Sequence, residues 1–213
     1  MTDSECTPHR WLSSPWFDRV VAAVAVAPFV SQLLGAARAG TLGVPELTVI
    51  VNYSLLLATM VFRTPPVRVT TNPLFWLLTF VATYWGFLTV LLYEPGTPLA
   101  SRPLVDGISL VSLLISAYAR LSLGRSIGFV PAERKIVTSG AYALVRHPIY
   151  TGLFVSLFAL HLSASSWRNL GLDLTAVVLF VVKTFVEERF LERNADYVAY
   201  MRVVRWRFLP GLV

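Results

Sequence analysis

Residues 136–152 read Ile-Val-Thr-Ser-Gly-Ala-Tyr-Ala-Leu-Val-Arg-His-Pro-Ile-Tyr-Thr-Gly. They decide the fold, because they end the longest polar stretch between the apolar runs, 124–146, and open a new apolar run at Pro148. Ser139-Gly140 reads as a turn, since glycine tolerates positive φ. Pro148 is suited to the first position of a helix, where its missing N–H would have no partner in any case. Arg146-His147 sets a fixed cation beside a group that titrates near neutrality. The unbonded amides of that helix start are a ready anion site.

Outward from this stretch the chain is mostly apolar. Six runs stand out: Val20–Leu34, Pro45–Phe62, Pro73–Tyr93, Pro103–Leu123, Pro148–Leu162 and Asn169 to about Glu188. A full span needs about 20 apolar residues, so the fifth run is short. Pro28 predicts a kink in the first helix, which membrane helices tolerate. Asn52 in the second run predicts an interhelical hydrogen bond. The 213 residues are 55% hydrophobic and 14% charged, with a mean hydropathy of +0.64. A soluble domain carries about 25% charged residues. The expectation is an all-α polytopic membrane protein of about six transmembrane helices. It forms a single membrane domain, 1–213, with four helices in 1–123. A helical hairpin, a cytosolic cofactor-binding cap and a cytosolic tail occupy 124–213.

The net charge of +6 and pI near 9.8 would suggest nucleic acid in a soluble protein. Here the cations alternate with the loops. Arg63 and Arg68, then Arg120, Arg125, Arg134, Lys135 and Arg146, then Arg202, Arg205 and Arg207 fall on one face. Arg38, Arg102 and Arg168 fall on the other. Positive-inside bias makes the first face cytosolic, puts both termini there, and removes the need for a nucleic-acid partner. The polar N-terminal segment does not read as a cleavable signal peptide. Cys6 is the single cysteine, and His9, His147 and His161 lack metal-type spacing, so neither a disulfide nor a metal site is expected. The Arg-over-Lys bias and single cysteine fit a bacterial inner membrane.

A second motif is Lys183-Thr-Phe-Val-Glu187-Glu188-Arg189-Phe-Leu191, followed by Tyr197, Tyr200 and Phe208-Leu-Pro210. His147 and Glu187 stand at equal distance on either side of Trp167, in the turn between the last two runs. At 1.5 Å per residue, each lies about 30 Å down its helix, so the two return to one depth. Lys183 is one turn deeper on the Glu187 face. Glu188 is about 100° around the helix and is expected to matter less than Glu187. A polar pocket at the mouth of an apolar hairpin follows. Singly, each motif has an ordinary reading: Arg-His as a positive-inside anchor, the acidic pair as a solvated helix end, Lys183 as a snorkelling lysine. Their matched depth favours a joint role. Tyr197 and Tyr200 read as packing or interfacial residues. Asp106 and His161, toward the outer face, are given no role.

Val137-Thr-Ser-Gly-Ala-Tyr142, Arg146-His-Pro-Ile-Tyr-Thr-Gly152 and the acidic-pair motif resemble the isoprenylcysteine carboxyl methyltransferase family. That family is grouped with integral-membrane methylators of phospholipids and thiols. The resemblance covers about Gly124 to Pro210; the first hundred residues match only as generic membrane helices. It implies S-adenosylmethionine as cofactor, held by Lys135, Ile136 and Val137, by Tyr142, by Arg146, His147, Pro148, Ile149 and Tyr150, and by Glu187. The helix start with His147 suits the cofactor's carboxylate, and Glu187 its ammonium. Tyr142 and Tyr150 offer aromatic faces to adenine or the sulfonium. Glu187 and Lys183 are the residues assigned to the transfer itself. In the carboxyl methyltransferases an arginine stands where Lys183 is, facing the acceptor carboxylate. Lysine keeps the charge and loses the bidentate fork. The expected activity is methyl transfer to a lipophilic small molecule or lipid drawn from the membrane lipids, an isoprenylcysteine-type carboxylate or another small lipid or thiol. Phospholipid N-methylation, an NADPH-dependent sterol-reductase-like activity and a non-catalytic membrane component are the alternatives.

Overall fold

A computed structural model of the protein describes residues 68–126 and 132–212, with isolated positions 20, 34, 35, 38, 44, 45, 48, 51, 52 and 55. The N-terminal tail, Pro28 and most of the first two apolar runs lie outside the described residues, and with them the count of six helices. What is described is helical. The helices are α1 (Pro73–Leu92), α2 (Arg102–Leu123), α3 (Pro148–Ser163), α4 (Trp167–Leu191) and α5 (Ala195–Val203). A two-residue antiparallel pair, β1 (Arg68–Val69) with β2 (Ala132–Glu133), is the only ladder among the described residues.

Local chemistry sets these boundaries. Asn72 caps α1 by accepting the Leu74 amide at 2.9 Å, and Pro73 takes the first position. Gly124 ends α2 with φ +56°, a conformation glycine adopts without strain. Ser166 caps α4 through the Asn169 amide at 3.1 Å. Asn194 caps α5 through the Asp196 amide at 2.8 Å. The third to sixth apolar runs correspond to α1–α4 within a few residues. Helix α5 was not expected: its residues alternate polar and apolar too closely to read as a run.

The segment Arg102–Ser126 and helix Trp167–Leu191 are long and apolar enough to cross a bilayer. A soluble core helix of that composition would be largely buried. Here only 28% and 33% of the two spanning windows are buried. Leu114 and Leu121 on α2, and Leu174, Val178 and Phe185 on α4, point outward. An apolar outer surface of this kind fits lipid. Helix α3 is apolar but has only 16 residues, as its short run predicts.

Helix α2 packs mainly on α3, and α1 on α4. The α2 face toward the protein is made of small residues: Ser109, Ser112, Ser116 and Ala119 are buried. Opposite them is Gly152, where a Cβ would collide with the Ser116 hydroxyl and come within 3.1 Å of the Ser112 carbonyl. Small residues let membrane helices approach this closely. The contact sets the height of α3, and so places Pro148 beside the end of α4. Near the same level, Arg120 in the last turn of α2 donates to Asn52 at 2.6 Å, the interhelical bond expected of that asparagine.

At the opposite end, the segment after α1 is tied to the α3–α4 turn. Thr97 and Ser165 exchange both backbone bonds at 2.9 Å. The fully buried Asn169 amide accepts from the Glu94 N–H at 3.1 Å and donates to the Glu94 and Ala164 carbonyls at 2.9 and 2.6 Å. The Tyr93 hydroxyl donates to Asp173 at 2.9 Å, and His161 Nδ1 lies 3.3 Å from the same carboxylate oxygen. His161 thus sits in a polar cluster although it reads in sequence as a residue without a role.

Candidate functional site

The site is built where the start of α3 meets the end of α4. Helix α4 carries Lys183, Glu187 and Glu188 on its last three turns. Lys183 and Glu187 are four apart, so they share a face, and their charges meet at 3.1 Å. Tyr150, one turn into α3, joins them. Its hydroxyl lies 3.1 and 3.0 Å from the two Glu187 oxygens and accepts from Lys183 Nζ at 2.7 Å. Lys183 is only 5% exposed. It does not snorkel: its ammonium is held inward by a carboxylate and a phenol, over the Tyr150 ring at 5.1 Å.

A second cluster adjoins the first. Glu188 is 2% exposed and accepts from Arg146 Nε at 2.7 Å and Arg207 Nε at 2.9 Å, while His147 Nε2 stands 3.2 Å away. Two arginines on one carboxylate leave a surplus positive charge, whereas Lys183 and Glu187 cancel. Arg146 also donates to the carbonyls of Val204 and Arg205 at 2.9 and 2.8 Å. Residues 204–208 wrap over the start of α3. The amides of Arg146 and His147 donate to the Trp206 and Arg207 carbonyls at 2.9 and 2.8 Å, and the Thr151 hydroxyl donates to that of Phe208 at 2.7 Å. His147 stacks on Tyr150 with 5.6 Å between ring centres and 4° between planes.

The remaining sequence-selected residues divide. Gly140, with φ +63°, packs so closely on the Ser122 side chain that a Cβ would not fit. It starts the 3-10 turn Gly140–Ala143, which buries Tyr142. Tyr142 joins Tyr197, Tyr200 and Val204 in an apolar cluster against which Ile136 and Val137 pack. Its backbone carbonyl accepts from the Tyr200 hydroxyl at 2.7 Å. Burial above all, with Tyr150, Tyr200 and Glu187 adding, pushes the Tyr142 phenol well above its ordinary pKa. Pro148 is buried at the helix start, Ile149 is half-buried beside it, and Lys135 is exposed. The structure therefore gathers Arg146, His147, Tyr150, Lys183 and Glu187, and it places Ile136, Val137 and Tyr142 in the adjoining apolar cluster.

The equal spacing from Trp167 brings His147 to the acidic pair, and there it meets Glu188, which Arg146 and Arg207 also hold. Glu187, the residue expected to matter more, meets Lys183 and Tyr150 instead. At the helix start the amides of Tyr150 and Thr151 bond the His147 carbonyl at 3.0 and 3.1 Å. Positive charge at this point comes from Arg146 and Arg207.

Opposite charges side by side, aromatic faces and a buried apolar floor suit a zwitterionic cofactor with a flat base. Residues 107–195 match the phospholipid methyltransferase family. No curated protein matches the chain significantly. The phospholipid methyltransferase match implies a membrane methyltransferase, and enzymes of that family generally use S-adenosylmethionine. It spans most of α2, all of α3 and α4 and the first residue of α5, and so includes Tyr142, Arg146, His147, Tyr150, Lys183, Glu187 and Glu188. Arg207 and the carbonyls of 204–208 fall beyond it. Sequence reasoning missed the part played by Glu188, Arg207 and the tail backbone. The available signal was charge balance: a buried Arg146 needs an anion, and Glu187 already has Lys183 one turn before it.

Proposed function

We propose that the protein transfers a methyl group from S-adenosylmethionine to a lipophilic acceptor at the membrane, with the cofactor site facing the cytosol. The observation that carries this reading is the pair of adjoining clusters, Lys183–Tyr150–Glu187 and Arg146–His147–Glu188–Arg207, all but Arg207 inside a phospholipid methyltransferase match. The cofactor supplies an electrophilic methyl on sulfonium. Arg146 and Arg207, with positive charge in surplus over Glu188, bind its carboxylate; Glu187 binds its ammonium. The Tyr150–His147 stack and Tyr142 lie against its sulfonium and base. These residues orient the reactants and exclude water, and orientation is worth up to about 7–11 kcal/mol. The clustering of cations around 124–146 and the tail supports cytosolic termini and a cytosolic cap.

For the acceptor, the pairing of Lys183 is informative. Its ammonium already meets Glu187 and the Tyr150 hydroxyl, so its charge is balanced before any acceptor carboxylate arrives. This favours a phospholipid amine. The isoprenylcysteine-type carboxylate is supported by the 137–152 motif and by a cation at position 183.

Titration with S-adenosylhomocysteine in detergent tests the cofactor site, with NADPH as the rival ligand. Glu187→Gln removes a charge-assisted bond of about 1.5–3 kcal/mol, which is roughly 10- to 150-fold in affinity. His147→Ala should also weaken binding. NADPH binding in place of S-adenosylhomocysteine would point to a reductase. Binding of neither would leave a non-catalytic membrane component. Methylation of phosphatidylethanolamine against a farnesyl-cysteine analogue separates the two acceptors.

A further inference from the structure

The tail that closes the site has a second face. Val204 and Phe208 turn inward, into the tyrosine cluster and against His147. Between and beyond them Val203, Trp206, Leu209 and Leu212 turn outward and are 82%, 38%, 48% and 74% exposed. Arg202 and Arg205 are exposed among them. No aspartate or glutamate occurs from Tyr197 to Val213. The outward apolar residues of α2 and α4 lie along helices that can cross a bilayer, and lipid accounts for them. The tail lies beyond both helices, so its large apolar side chains need another cover. Interleaved cations and apolar groups without acids are the chemistry that lies in the headgroup layer of an anionic membrane.

We propose that the outward face of residues 202–212 docks on the anionic lipid headgroups of the leaflet where α4 ends, and that this docking holds the tail wall of the site in place. The coupling is in the backbone. The carbonyls of Val204 to Phe208, on the same short segment, hold Arg146, His147 and Thr151. A tail pressed onto lipid by its outer side chains keeps those carbonyls on the start of α3. This surface stands on its own geometry and does not depend on the reaction the site performs.

The test uses the full chain with Cys6→Ser and Leu212→Cys, labelled with a polarity-sensitive dye. It is placed in nanodiscs of phosphatidylcholine alone or of phosphatidylcholine mixed with phosphatidylglycerol. Emission should shift to the blue only in the mixed discs, and high salt should reverse the shift. Arg202→Gln with Arg205→Gln should raise the phosphatidylglycerol fraction needed, each charge counting for about fivefold in binding. Arg202→Gln alone gives the smaller step if the double variant folds poorly. Amide exchange at Arg146 and His147 should slow in the mixed discs. Equal emission in both discs overturns the proposal. So does an apolar signal in both that disappears on dilution to one copy per disc, which would assign the face to a second copy of the chain.

Discussion

The two ends of the α3–α4 hairpin are both knotted by buried polar groups, and they are knotted differently. At the turn end, the central group is the neutral amide of Asn169, whose partners are backbone N–H and C=O groups, and the buried carboxylate beside it, Asp173, is met by the Tyr93 hydroxyl and His161 rather than by an arginine or lysine. The one pair of fixed opposite charges there among the described residues, Arg168 and Glu94, is 3.5 Å apart and largely exposed. At the open end, Arg146, Lys183 and Glu188 are all buried and meet charged partners. Neutral bonds to backbone join loops at modest cost. Buried charges carry a large desolvation penalty, and hydrophobic side chains of equal volume often stabilise a protein as well or better. Charge gathered at such cost is why the proposed function places the chemistry at the open end and leaves the turn end a structural part.

Substitutions at the two ends should break or sharpen this contrast. The largest effect is expected from Glu188→Ala. It leaves Arg146 and Arg207 without their carboxylate, so unfolding stability should fall by about 3–5 kcal/mol and S-adenosylhomocysteine binding should fall with it. Stability near that of the parent would show that the cluster is looser than its distances imply. Asn169→Ala comes next. It strips partners from the Glu94 N–H and from two carbonyls, and should cost about 1–3 kcal/mol in thermal unfolding while cofactor affinity stays unchanged. A loss of affinity in this variant would erase the distinction between the ends. Tyr93→Phe removes one neutral-donor bond to Asp173 and should cost about 1 kcal/mol or less, again without effect on binding.

The smallest effect is one of pH. Burial pushes the phenols of Tyr142, Tyr197 and Tyr200 up, so in the folded protein they stay protonated beyond the ordinary tyrosine range. The unfolded chain ionises first, near about pH 10, and from there holds fewer protons than the native state. Stability should therefore begin to fall as pH rises past about 10, and not below it. Replacing Tyr200 by Phe should flatten that fall. A phenolate absorbance from all three below that pH would contradict their burial.

Much of this was legible in the sequence, for reasons that are local. Pro148 fixed the start of α3, and the four-residue spacing of Lys183 and Glu187 gave their contact. Equal distances from Trp167 brought His147 to the level of the acidic pair. What was not legible is long-range. Which of two adjacent carboxylates faces Arg146 is settled by Arg207, which reaches Glu188 from beyond α5. The tail itself carries no apolar period, because its residues alternate between the tyrosine cluster and the outside without forming a regular element. The small-residue seam on α2 was present as Ser109, Ser112 and Ser116, yet serines in an apolar run name no partner until Gly152 is seen against them.

The carbonyl of Arg205 meets the Arg146 guanidinium across a sequence separation of 59 residues, and the bonds beside it close similar distances. Helices α3 and α4 can form from neighbouring residues alone; the clasp between 146–151 and 204–208 cannot. Contacts of that span carry the full loop-closure entropy before any bond rewards it, which places them late in assembly. The hairpin can thus stand in the bilayer as an apolar scaffold before its polar mouth exists. A fault in folding would show first as a correctly inserted protein that binds nothing.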